Sequence, residues 1–286
     1  MKQDSGPILM LIAGLFFAFM DILVKLVPHI PTFEAIFFRF LFGALLALLS
    51  MRILKIKIRL VEHKLLALRI IFGFLSIYTL FVAISLTYLS NAIVLFFTAP
   101  VFSIILAHVF LKEKTTKAIV LPLLLSLVGI FLIIKPNLAV INPGDIYAVL
   151  SGLFCAMGFT ALKKLESIES AWTITIASIF GMLLLSTPLA AYSFAPVSSH
   201  DLLILLLMGV FGFLGVVFMT FAFKYCGESE GTELLMFEAV VTAVIGVLIF
   251  REIVDPYSII GSILVLSSNF YITMSHAHIE IHLHHR

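Results

Sequence analysis

Residues 6–25 read GPILMLIAGLFFAFMDILVK, and residues 144–163 read GDIYAVLSGLFCAMGFTALK. Laid over one another, Gly6 falls on Gly144, Gly14-Leu15-Phe16 on Gly152-Leu153-Phe154, Ala18 on Ala156 and Lys25 on Lys163. The register continues into the next run, where Phe42-Gly43 meets Phe180-Gly181 and Leu45-Leu46 meets Leu183-Leu184. One residue of slippage later, Phe72-Gly73-Phe74 meets Phe211-Gly212-Phe213, and the match holds through Glu113 on Glu252. Chance pairing of apolar sequence gives scattered Leu identities, not Gly and Glu identities held in register across four helices. A fixed long offset of this kind marks an internal duplication.

What is duplicated is a set of membrane spans. Of 286 residues, 62% are apolar and 12% charged, with a mean hydropathy of +1.20 over the whole length. Soluble chains run nearer half apolar and a quarter charged. The excess is spread along the chain, which excludes a soluble domain on a single anchor and leaves no room for a nucleic-acid-binding domain. Read against Gly, Pro and charge punctuation, the apolar runs predict ten helices: 7–27, 32–51, 65–86, 91–111, 116–134, 145–163, 171–192, 202–224, 231–250 and 257–274. The first lacks a basic leader and a small-residue cleavage site, so it is read as a retained helix. Five spans per copy is an odd number, so the second copy must enter the membrane upside down. The expectation is therefore an all-α integral membrane protein of ten transmembrane helices in two inverted five-helix repeats. Residues 1–137 and 138–274 form the repeats, and 275–286 form a His-rich tail. Inverted repeats with a midplane site between halves are the architecture of alternating-access carriers.

Cytoplasmic connectors collect Lys and Arg. With the N-terminus inside, the inner connectors hold Lys2, Arg52, Lys55, Lys57, Arg59, Lys64, Lys112, Lys114, Lys117, Lys163, Lys164, Lys224 and Arg286, against Lys25, Lys135 and Arg251 outside. Both termini are expected in the cytoplasm. The inner connector after span two is rich in cations, while its counterpart at 193–201 has none, as inversion requires. Cys155 and Cys226 suggest no disulfide framework.

Several short motifs carry a family resemblance. They are Phe37-Phe38-Arg39-Phe40 in span two, Pro100-Val101-Phe102 opening a run that ends at Glu113, and the matching run ending Phe250-Arg251-Glu252. Over residues 6–274 the chain resembles the EamA family of the drug/metabolite transporter superfamily. That resemblance implies ten helices in two inverted repeats, and transport of small organic molecules. Asp21, the stretch Phe33-Glu34-Ala35-Ile36-Phe37-Phe38-Arg39-Phe40 and Glu238 are similar to the S-adenosylmethionine uptake carriers of intracellular bacteria.

A charge at the centre of a span costs about 2.5–3.5 kcal/mol on insertion scales, so each needs a partner or a purpose. Symmetry sorts them. Lys25 with Lys163 and Glu113 with Glu252 are matched between copies and read as scaffold, the lysines snorkelling to the interface. Asp21 aligns with Phe159, Arg39 with Ala177 and Glu238 with Ala99, so these three are candidates for substrate or proton coupling. Asp21 and Arg39 lie at similar depths from the outer ends of spans one and two. That predicts an ion pair, which either pins the two helices or attracts a cationic group or a proton. Glu238 lies about 10 Å in from the start of span nine at 1.5 Å per residue, with Arg69 entering span three from the same side. Arg69, Ser76, Tyr78, Thr98 and Pro100 are candidate pocket-lining residues, each with ordinary helix packing as the rival reading. Pro100 favours a kink. Gly14, Gly73, Gly152 and Gly212 are read as close-approach positions, and some of the 28 Phe residues as stacking surfaces for a planar cation. His108, deep in span four, is read as a packed neutral imidazole. In the tail, His276, His278, His282 and His284 would share one face of an extended segment and are weak metal ligands; no metal and no cofactor is expected.

No phosphate loop, nucleotide-binding cassette or hydrolase elbow is present, so the chain is read as a non-enzyme. The function expected is secondary active transport of a small organic metabolite across a bacterial inner membrane, with protons as a possible coupling ion. Uptake of S-adenosylmethionine is what the resemblance implies. Export of amino-acid-like metabolites or drugs is the alternative, and a passive pore or membrane interaction protein is the alternative of another class. The bilayer is the only macroscopic partner, with no nucleic acid, and the carrier would work as a monomer or homodimer.

Overall fold

The computed structural model describes residues 5–87, 89–113, 116–134, 142–192, 196–250 and 256–284. Among them there is no strand. Twelve α-helices follow in order: α1 Ser5–Leu26, α2 Thr32–Leu54, α3 His63–Leu86, α4 Leu89–Phe96, α5 Ala99–Leu106, α6 Lys117–Ile134, α7 Pro143–Glu166, α8 Ala171–Tyr192, α9 Ser199–Phe223, α10 Glu228–Leu234, α11 Phe237–Phe250 and α12 Pro256–His284. A π-helical turn, Ala107–Leu111, extends α5 and ends at Lys112 in a left-handed conformation. Seven stretches are long and apolar enough to cross a membrane: Ser5–Val24, Thr32–Leu54, His63–Ala83, Ala92–Leu111, Pro143–Glu166, Ala171–Tyr192 and Ser199–Phe223. Lys117–Ile133 and Ile259–Met274 are shorter apolar stretches. Lys135, Arg251, Glu252, Lys114, Lys2, Arg286 and the boundary between the two copies lie outside the described residues, as does the Lys25 side chain.

Each expected apolar run holds helix, but two of them are broken. The fourth is interrupted at Phe97-Thr98, because Pro100 near the start of α5 has no N–H to continue the ladder. Thr98 occupies the cap position, its carbonyl taking bonds from Val101 and Phe102 and its own Oγ1 donating back to Leu95 O at 2.6 Å. The ninth is interrupted at Leu235-Met236 without any proline. The copy-to-copy register places the two breaks within a residue of one another.

Helix packing follows a pattern that survives exchange of the halves. α1 packs along α9 and α7 along α3; α2 crosses α9 and α8 crosses α3; α2 meets α8, and α6 meets α12. The broken helices take the same roles, α4 and α5 lying on α7 while α10 and α11 lie on α1. Small residues set the closest crossings. A Cβ on Gly129 of α6 would stand 2.6 Å from the carbonyl oxygen of Gly261 on α12. Between α3 and α7, Ser76 Oγ donates to Ser151 O at 3.1 Å while Ser151 Oγ donates to Ser76 O at 2.7 Å, a reciprocal clasp between buried helices.

Two polar anchors fix the broken ninth run. Glu113, at the end of the π turn, accepts the backbone N–H of Glu228 at 2.9 Å and so caps the start of α10. Lys163 Nζ donates to Phe223 O at 2.5 Å and Cys226 O at 2.6 Å, satisfying carbonyls left open at the end of α9.

In the tail α12 continues through His284, where an extended segment is expected; the side chains of His276, His278, His282 and His284 lie outside the described residues. His108 also differs. On the π turn it is exposed, and its Nδ1 lies 3.2 Å from Glu113 O, because the turn brings it to the helix end.

Candidate substrate site

Asp21 on α1, Arg39 on α2 and Glu238 at the start of α11 converge, two from the first copy and one from the second. Asp21 and Glu238 share a side-chain hydrogen bond, and Arg39 lies in the field of both carboxyls. Two carboxyl groups can bond only while one of them holds a proton. The sequence expectation sets Glu238 about 10 Å inside span nine at 1.5 Å per residue, with Arg69 entering span three from the same side at a shallower depth. The ninth run begins earlier, at Glu228, so Glu238 sits ten residues along it, just past the break at Leu235-Met236. Its break turns α11 toward α1, where Gly14 lets the Glu238 backbone approach: a Cβ on Gly14 would lie 3.5 Å from Glu238 N.

Arg39 is held in a notch. Its Nε would stand 3.0 Å from a Cβ on Gly212 of α9, and its guanidinium carbon lies 5.3 Å from the Phe40 ring centroid. A small cavity beside it is lined by Phe40, Gly43, Ile179, Gly212, Phe213 and Val216.

Arg69 on α3 does not join this triad. It is 7% exposed and its guanidinium carbon lies 5.5 Å from the Phe159 ring of α7. The group resolved in its electrostatic field is Cys155, also on α7. Cys155 in turn lies within range of Glu238, Glu228 and the Ser76 hydroxyl. The Cys155 thiol thus lies in the field of both Arg69 and Glu238.

The remaining candidates are placed as follows. Ser76 is buried in the α3–α7 clasp and borders the thiol. Thr98 is spent on the α5 cap and packs on α7, its Oγ1 3.0 Å from where a Gly152 Cβ would be. Pro100 is buried at the break. Tyr78 points away, its ring stacked on Phe33 at 5.8 Å and partly exposed. An aromatic two residues from Ser76 on a helix faces elsewhere, since positions two apart do not share a side.

Sequence reasoning passed over three groups. Cys155 was read only as not disulfide-bonded. Glu228 and Glu233 on α10 are fully buried, taking hydroxyl bonds from Thr160 at 2.8 Å and Ser126 at 2.6 Å. The symmetry filter would have flagged both acids, because they align with Leu89 and Val94. Among the described residues no cluster of His, Cys, Asp or Glu could hold a metal ion.

A helical chain with apolar spans, broken helices and charges at their centres is a multi-pass membrane protein of the kind that passes small molecules through itself. The chain belongs to the EamA-like transporter family, whose model matches it twice, over residues 4–135 and again over 142–274. It is 29% identical to the pseudopaline exporter CntI of Pseudomonas aeruginosa, covering 92% of this chain and 93% of that one. It is 28% identical to an S-adenosylmethionine uptake transporter of Rickettsia conorii, covering 89% and 87%. A solved crystal structure at 16% identity superposes with a TM-score of 0.81, covering 98% of this chain and all of that one, a likeness of fold. The relatives are named as transporters, which points away from an enzyme.

Proposed function

We propose that this chain is a secondary carrier of two inverted five-helix repeats in a bacterial inner membrane, with both termini cytoplasmic, and that it moves a small cationic organic metabolite by alternating access. The observation that carries the reading is the Asp21–Glu238 hydrogen bond beside Arg39. A carboxyl pair holding one proton, joined across the two copies, is a site where a cation and a proton compete. Arg39 keeps the remaining negative charge in place when the proton is bound. The inverted arrangement is supported by the two family-model matches and the exchange-symmetric packing. Rocking of one half against the other would open a site near the midplane to each side in turn.

The leading substrate is S-adenosylmethionine, whose sulfonium and amino groups suit the carboxyl pair; the Rickettsia relative supports it at 28% identity. The test uses purified protein in proteoliposomes with labelled S-adenosylmethionine. Glu238→Gln and Asp21→Asn should each abolish the response to an imposed pH gradient, while exchange of substrate remains measurable. Coupling unchanged in both would remove the carboxyl pair from the mechanism. A second reading is export, favoured by the 29% identity to the pseudopaline exporter over nearly the whole chain. Right-side-out against everted vesicles decide direction, since net uptake under the physiological gradient in only one of them is expected of either reading.

A further inference from the structure

Among the described residues, Arg69 is a cation that the site described above does not use. Arg69 is more than nine-tenths buried, and its Nε has no hydrogen-bond partner among the described residues. A buried guanidinium nitrogen left without an acceptor is costly unless something supplies one. No described carboxylate forms an ion pair with it; its neighbours are the Phe159 ring and the Cys155 thiol, and neither is a counter-charge at neutral pH. Nor is the group squeezed in by accident. Gly158 on α7 keeps its berth open, since a Cβ there would stand 3.1 Å from Arg69 Nη1. Cys155 is only half-buried although its electrostatic neighbours are Arg69, Ser76, Glu228 and Glu238, groups interior to the bundle. The thiol is thus placed to report on the field of these groups.

We propose that Arg69 is the receptor for the carboxylate of the transported molecule, so that the carrier takes metabolites bearing an amino-acid head, with the carboxylate on Arg69 and the cationic end toward Asp21 and Glu238. The proposal rests on the carrier reading and deepens it. The planar fork of a guanidinium accepts a carboxylate through two parallel bonds. A phosphate dianion would call for more donors than one guanidinium beside a thiol and a hydroxyl supplies. The cation is present in one copy only, Arg69 aligning with Met208, so the site is polar along its length: anion receptor on α3, acid pair between α1 and α11.

The test needs no knowledge of the substrate. In a Cys226→Ser background, Cys155 is modified by anionic sulfonatoethyl methanethiosulfonate and by cationic trimethylammonioethyl methanethiosulfonate, with Cys155→Ser as the blank. The anionic reagent should react faster by about tenfold or more, the scale on which a charged cleft concentrates its counter-ion. Arg69→Gln should erase the preference and Arg69→Lys should keep most of it; the Lys variant guards against a fold defect in the Gln one. Acetate should slow the anionic reagent more than phosphate does at equal ionic strength. A charge preference unchanged by Arg69→Gln, no modification by either reagent, no slowing by acetate, or stronger protection by phosphate would each overturn the assignment. Preference intact in proteoliposomes that carry no metabolite would instead overturn the carrier reading alone.

Discussion

At the scale of single residues, buried charge is what distinguishes this chain from inert membrane scaffold. The two arginines show how such charge is accommodated. Each lies against a member of the matched pair Gly73 and Gly212, Arg69 by its Nη1 and Arg39 by its Nε. At Gly212 the atom nearest a Cβ is Arg39 Nε, whereas at Gly73 it is Met182 Cε, with Arg69 Nη1 at an ordinary contact distance of 3.5 Å. The matched polar residues have a different office. Glu113 caps α10 through its contacts with the backbone N–H groups of Glu228 and Ser229. Replacing Glu113 with Ala should cost about 1 kcal/mol, as the loss of a helix cap does. In a chain of this size that lowers the unfolding midpoint by roughly 2 °C. Thermal unfolding in detergent should show that shift with the charge preference at Cys155 unchanged; a larger loss would mean that Glu113 also holds the substrate path.

At the scale of elements, the breaks and the crossings carry the design. The fourth and ninth runs each give up helical continuity near the middle of their length, one because of Pro100 and one without it. In the ninth, Met236 N bonds to Glu233 O and Glu238 N to Leu235 O, shorter loops than the α-helical one, so the chain tightens and changes direction. The α6–α12 crossing is the strictest. Gly129→Ala would gain about 1 kcal/mol of helix propensity, but its Cβ would meet the Gly261 carbonyl at 2.6 Å, and the overpacking costs about 1–3 kcal/mol. Gly43→Ala offers the contrast, since its Cβ would meet only Ile179 Cγ2 at 3.6 Å. Measured by thermal unfolding, Gly129→Ala should lower the midpoint and Gly43→Ala should raise it or leave it unmoved. Equal effects would mean that α6 and α12 are free to part.

At the scale of the whole molecule, inversion and carrier behaviour make separate predictions. Single cysteines introduced at Lys57 and Ser198, in a background without Cys155 and Cys226, should label from opposite faces of the membrane with an impermeant maleimide. Labelling from the same face would end the inverted reading. A carrier, unlike a pore, should also show accelerated exchange when unlabelled substrate is loaded on the far side. The loop between α1 and α2 meets α9 through His29 Nε2, 3.1 Å from Asp201 Oδ2, which ties a connector of one half to a helix of the other.

Much of this was legible along the chain because membrane spans are local objects: about twenty apolar residues must satisfy their own backbone, whatever surrounds them. Hydropathy therefore located the runs, and the Gly and Phe identities exposed the duplication. The unmatched charges Asp21, Arg39 and Glu238 were picked out for the same reason, since a duplicated scaffold makes any departure from symmetry visible. Which of those charges meet was not legible. Asp21 and Glu238 are 217 positions apart by subtraction, and their hydrogen bond exists only because an unproline-marked break swings α11 against α1. Tyr78, an expected pocket-lining residue, stacks on Phe33, and the Cys155 thiol lies in the field of Arg69 and Glu238. Helix direction, close crossings and the aim of a side chain depend on contacts between distant segments, and those contacts come into being only when the bundle closes.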